Sequence, residues 1–90
     1  MNLLSKWFGG GSKYDDAQLV SRAMQALSAD PLISDPSSLV VTSKQGVVTV
    51  GGIITRRQDK ERIEGVIRNA YTAAGLQLER VINDLKLSHS

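Results

Sequence analysis

A chain of 90 residues, 41% hydrophobic and 22% charged, is one domain's worth of sequence. It is long enough to bury roughly 60–65% of the surface its unfolded chain would expose. Cysteine is absent, which excludes disulfides, thiolate metal sites and a cysteine nucleophile, and a net charge of +2 is too mild to point to nucleic acid.

The first eight residues hold four large apolar side chains, Leu3, Leu4, Trp7 and Phe8, with Lys6 among them. These pairs are too short for the roughly 7–15-residue core of an export signal or the about 20 residues of a spanning helix. Asn2 excludes N-myristoylation. The expectation is a cytoplasmic chain, peripheral to the inner membrane. On a helix, positions 3, 4, 7 and 8 share one face, the pattern of an interfacial anchor. Full burial would contribute roughly 1.5–3 kcal/mol per side chain. Partial insertion and the ordering of a short peptide offset most of that, so such an anchor is weak and reversible. Two readings stay open. The segment enters an anionic lipid interface, with Lys6 and Lys13 adding attraction, or Trp7 and Phe8 fold back onto the domain or an oligomer contact. Gly9-Gly10-Gly11-Ser12 is a flexible linker by composition, dividing residues 1–12 from a domain over residues 13–88.

Within that domain, Asp15 or Asp16 supplies an N-cap, and Leu19 or Val20, Ala23, Met24 and Leu27 fall at helical spacing before Asp30-Pro31 ends the run. A loop through Ile33 and Ser37 leads to a short strand at Leu39-Val40-Val41-Thr42, with Leu39 and Val41 inward and Ser43-Lys44-Gln45-Gly46 as the hairpin turn. The second strand runs from Val47 to Ile54. Val48, Val50 and Ile54 alternate with polar or small residues, and Gly52 takes the remaining inward position. A glycine there leaves a gap in the buried face, which predicts a close approach from above, most simply by a helix. Thr55-Arg56-Arg57-Gln58 has the spacing of a capping box opening the second helix. Ile63, Val66, Ile67, Ala70, Tyr71 and Ala74 form the apolar stripe of that helix, and Gly75 stops it. Gly65 inside it costs about 1 kcal/mol relative to alanine, which suits a helix lying close to the sheet near Gly52. Val81, Asn83, Leu85 and Leu87 then line the buried face of a third strand. The expected fold is α+β: helix-strand-strand-helix-strand, with two helices packed on one face of a three-stranded mixed sheet.

Gly46, Val48, Thr49, Val50, Gly52 and Ile54, followed by Val81, Asn83, Leu85 and Leu87, resemble the core pattern of the BON family, the bacterial OsmY and nodulation domain. The resemblance covers residues 16–87 and departs from the family in a longer connection, Leu76-Gln77-Leu78-Glu79-Arg80, before the last strand. It implies a non-enzymatic module that binds phospholipid membranes and is associated with osmotic or envelope stress. Because some relatives are linked to cation sensing, it also implies an alternative, a soluble potassium-type sensor using backbone carbonyls of loops such as residues 34–38. In this resemblance Gly46, Gly52, Gly75 and Asn83 are structural positions.

The residues themselves offer little catalytic chemistry. His89 is the sole histidine and lies in the last three residues, with no preorganised partner, so no catalytic residue, cofactor or metal ligand is assigned. Asp15, Asp16, Asp30 and Asp35 lack the dense alternation of a calcium loop and read as caps and turns. Arg56, Arg57 and Lys60, at the start of the second helix, are the candidates for an anionic head group or phosphate. Asp59, Glu61 and Glu64 interrupt the basic run, and Glu64 to Arg68 is a helix-supporting pair, so a plainly solvated face is the competing reading. No aromatic residue interleaves with these cations, which argues against single-stranded nucleic acid. The open edge of a three-stranded sheet could also recruit a protein strand or a second copy.

Overall fold

The computed structural model describes residues 13–88. Helix α1 (Asp16–Ala29) starts where the Asp15 carboxylate accepts the amide of Gln18 at 3.1 Å, satisfying one of the donors a helix start leaves open. Leu19, Ala23 and Leu27, one turn apart, are fully buried. The helix ends at Asp30, as the proline after it requires. A short 3-10 turn (Pro36–Ser38) feeds strand β1 (Leu39–Lys44). Strand β2 (Val47–Ile54), helix α2 (Gln58–Ala74) and strand β3 (Arg80–Leu87) follow. The expected α-β-β-α-β order and mixed sheet are present.

The sheet order is β1-β2-β3. β1 and β2 are antiparallel, from Leu39 opposite Gly52 to Lys44 opposite Val47. β2 and β3 are parallel, from Val47 beside Arg80 to Ile54 beside Leu87, and α2 is the crossover that a parallel pair needs. One face of this sheet carries Leu39, Val41, Val48, Val50, Ile54 and Leu85, all buried with the apolar stripes of both helices. Ile63, Ile67 and Tyr71 are the buried positions of the α2 stripe, while Ala74 is exposed. The Tyr71 hydroxyl donates to the Leu19 carbonyl at 2.6 Å, tying α2 to α1, and burial pushes that phenol up to about 12.

Four local expectations are corrected. The hairpin turn is only Gln45-Gly46, because both residues adopt positive φ (51° and 81°), the backbone twist of a tight two-residue turn, so β1 extends to Lys44. Thr55 caps nothing. α2 begins at Gln58 with Arg57 as the N-cap, and no side chain bonds the cap position. What approaches Gly52 is not a helix. Its φ is 132°, and a Cβ there would lie 2.5 Å from the Ser38 carbonyl oxygen, so the 3-10 turn and the start of β1 fill that gap. Gly65 has nothing within 4 Å of where a Cβ would stand, so no close approach to the sheet explains it.

Candidate functional site

The hairpin end of the sheet is built around one carboxylate. Asp16, in the first turn of α1, accepts the Ser43 hydroxyl at 2.6 Å, the Gly46 amide at 2.9 Å and the Gln45 amide at 2.8 Å. The Ser43 hydroxyl first, then the two turn amides, hold its carboxyl below the usual carboxylate range. Tyr14 lays its ring where a Gly46 side chain would stand, and its hydroxyl donates to Glu79 at 2.6 Å. That bond raises the Tyr14 phenol, with burial and the Glu79 charge adding to it. The amides of Glu79 and Arg80 return to the Gly46 carbonyl at 2.7 and 3.3 Å, which joins the start of β3 to the turn. Lys13 stands over the Tyr14 ring at 5.3 Å. Lys44, Val47 and Arg80 share a register row, so Lys44 and Arg80 lie at the hairpin end, where Tyr14 packs on Gly46 and Lys13 on Tyr14. Leu3, Leu4, Lys6, Trp7 and Phe8, the lipid-contact candidates, lie outside the described residues, as does His89.

At the opposite end, the three basic candidates divide. Arg56 is engaged: its guanidinium meets both carboxylate oxygens of Asp59 at 3.2 and 3.3 Å and the Leu32 carbonyl at 3.2 Å. Asp59, otherwise a buried charge, is satisfied by this fork. Arg56 therefore acts as a clamp between α2 and the loop after α1. Arg57 and Lys60 are exposed and make no ion pair among the described residues. The expected Glu64 to Arg68 pair is present at 3.0 Å.

The structural positions have distinct uses. The Asn83 amide donates to the Lys60 carbonyl at 2.8 Å and to Glu64 at 3.1 Å, and its oxygen accepts the Leu85 amide at 3.3 Å, pinning α2 to β3. The Asn83 bond, then Arg68, lowers the Glu64 carboxyl. Gly75 ends α2 with φ 69°. The carbonyl of Asp35 accepts the amide and the hydroxyl of Ser38, at 3.1 and 2.9 Å, so this part of the loop satisfies itself.

A cleft of about 240 Å³ opens between that loop, the end of β2 and the start of α2, lined by Ile33, Ser34, Asp35, Ile53, Thr55 and Asp59 among others. A second depression of about 400 Å³ runs between the helices along Ala26, Ala29, Ala70 and Ala73. Neither contains a histidine, a lysine or a cysteine, and no group of three metal-ligating side chains forms among the described residues. No helix among them is long and apolar enough to cross a membrane.

Sequence reasoning missed Tyr14 and the turn-holding role of Asp16. Adjacent aspartates at a helix start carry a faint signal, since only one can cap. Nothing local marks Tyr14 as the residue that packs on Gly46 and bonds Glu79, 32 and 65 residues away.

Two helices on one face of a three-stranded mixed sheet, in the order α-β-β-α-β, define a small α+β domain. The BON domain family model matches residues 15–87, and the chain belongs to that family. This is a family of non-catalytic binding domains known for phospholipid binding. No curated protein matches the chain.

Proposed function

We propose that this BON module associates peripherally with anionic phospholipid from the cytoplasmic side of the inner membrane, through its N-terminal segment. The observation that supports this most is the pair of cations Lys44 and Arg80 in one register row at the hairpin end, the same end at which Tyr14, next to Lys13 in sequence, packs on Gly46. In sequence, four large apolar residues and a glycine linker directly precede Lys13 and Tyr14. Each cation near an anionic leaflet contributes about 1 kcal/mol, which supplements an apolar segment too short to anchor by itself. The same reading assigns the module to osmotic or envelope stress. A growth defect at high osmolarity in cells lacking the protein would support that role, and normal growth would refute it.

The anchor is tested by co-sedimentation with vesicles of graded phosphatidylglycerol content. Among the described residues the buried core runs from Leu19 to Leu85, and a chain lacking residues 1–12 keeps all of these. Binding should rise with anionic lipid for the whole chain and vanish for the shortened one. Unchanged binding after the deletion would transfer the site to Arg57 and Lys60 or to the sheet.

A further inference from the structure

The three strands have a second face that neither helix covers. Alternation places Val40, Thr42 and Lys44 of β1, Val47, Thr49, Gly51 and Ile53 of β2, and Arg80, Ile82, Asp84 and Lys86 of β3 on it. Four large hydrophobic residues are conspicuously exposed among the described residues, and three of them, Val40 (61%), Ile53 (62%) and Ile82 (41%), share this face. The fourth, Leu32, stands apart in the loop after α1.

Its charges are one-sided. Lys44 and Arg80 lie in one register row at the hairpin end, and neither has an acidic partner among the described residues. The single acid of the face, Asp84, is held by Lys86 at 3.0 Å. By contrast, the outer side of α2 mixes Lys60, Glu61, Arg62, Glu64 and Arg68. At the middle of the open face, Gly51 contributes no side chain, and a Cβ there would meet only the Asp84 carbonyl, at 3.9 Å. The centre is therefore low, flanked in its register row by Val40 and by the Lys86-paired Asp84, with Ile53 and Ile82 on the neighbouring rows and Lys44 and Arg80, without acidic partners among the described residues, at the hairpin end.

We propose that this open face is a second contact surface for anionic lipid: Val40, Ile53 and Ile82 rest in the interface while Lys44 and Arg80 meet the head groups. The inference builds on the membrane association proposed above and adds an orientation, with the sheet lying on the bilayer and the carboxylates of α2 turned away. Charge complementarity selects lipid as the occupant, since the face offers cations to a negative surface and no unpaired carboxylate to oppose it. The tether leaves from the cationic end, so segment and face can engage one bilayer together and reinforce each other through effective concentration.

The test uses the full chain and phosphatidylcholine vesicles with graded phosphatidylglycerol. The double variant Ile53→Thr/Ile82→Thr keeps β-branched side chains at both positions, and Leu32→Thr is the matched control away from the face. A third variant, Trp7→Ala/Phe8→Ala, tests the segment separately. The sheet variant should partition about tenfold more weakly, with an unchanged melting temperature, while Leu32→Thr binds as the parent does. Parent-like binding of the sheet variant, with binding abolished in Trp7→Ala/Phe8→Ala, overturns the face and leaves the anchor standing. No binding of the parent to any vesicle overturns both. A lipid-free blue shift of Trp7 that the sheet variant reverses would show the face occupied by the chain's own N-terminus and overturn the proposal. A dimer that the variant dissociates would likewise assign the face to a second copy.

Discussion

The same three strands present two faces with opposite fates. Val48 and Val50 of β2 are fully buried beneath the helices, whereas Val40 of β1 and Ile53 of β2 are more than half exposed. Both sets are β-branched, so strand propensity does not distinguish them; what differs is whether a helix lies above. On the covered face an aliphatic side chain stabilises the fold. On the open face it contributes little to stability and is free to serve as a contact. The largest expected effect follows directly. Ile67→Ala, at a fully buried position of α2, should destabilise by about 2–5 kcal/mol, whereas Ile53→Ala should stay within about 1 kcal/mol. Denaturant unfolding of the two variants reads the contrast, and similar losses would mean that the open face is covered in solution.

Adjacent glycines sharpen it. Gly52, facing inward at φ 132°, has the Ser38 carbonyl where a methyl would go, so Gly52→Ala should cost about 2 kcal/mol or more. Gly51, facing outward with open space above it, should accept alanine and gain about 0.5–1 kcal/mol in β2. Opposite signs at neighbouring positions in thermal melts are the expected result. A loss at both would show that something closes over Gly51.

These glycines also mark how far the sequence could be read. Alternation assigned the inward face of every strand correctly, because Val48, Val50, Leu85 and their neighbours repeat with period two, and helical spacing identified Ala23, Leu27, Ile63 and Ile67 while leaving Leu19 and Val20 as alternatives, of which Leu19 is the buried one. Gly52 was recognisable as a gap, but its occupant was not, since a carbonyl from the preceding turn and a helix leave the same mark in sequence. Arg56, Arg57 and Lys60 looked alike. Only the fold shows Arg56 taken by Asp59 and Leu32. The cationic hairpin end was hidden because Lys13, Lys44 and Arg80 are far apart in the chain, and the uncovered apolar face because strand order decides which outward residues become neighbours.

A smaller effect belongs to the edge where the two faces meet at the hairpin. Asp16 ionises more readily in the fold than in the unfolded chain, since the Ser43 hydroxyl and the Gly46 and Gln45 amides favour its charged form. A depressed carboxyl contributes its full stability above the unfolded value, near pH 4, and loses it as pH falls through the lower folded value. Melting temperature should therefore fall as pH drops below about 4. Asp16→Asn should flatten part of that drop, with Glu64, depressed in the same direction by Asn83, supplying more of the remainder. An unaltered acid limb in Asp16→Asn would mean that the turn amides find another acceptor and that the hairpin end is not tied to α1 through this carboxylate. On the alkaline side the sign reverses. Tyr71, raised to about 12 by burial, contributes stability that is present below about pH 10 and lost as pH climbs through its folded value.

The smallest effect asks how tightly α2 covers the sheet. Gly65 lies in the middle of that helix with no atom within 4 Å of its missing methyl, so its flexibility is not needed for packing. Alanine removes the entropic cost of a mid-helix glycine without meeting anything, and Gly65→Ala should stabilise by about 0.5–1 kcal/mol. The neighbouring Glu64, bonded to Asn83 and Arg68, fixes the helix on one side of that position, and the buried Ile67 fixes it on the other, so the backbone has little room to shift. A loss of stability in Gly65→Ala would therefore reveal a closer neighbour over α2 in solution, and would extend the covered surface to a part of the helix now open.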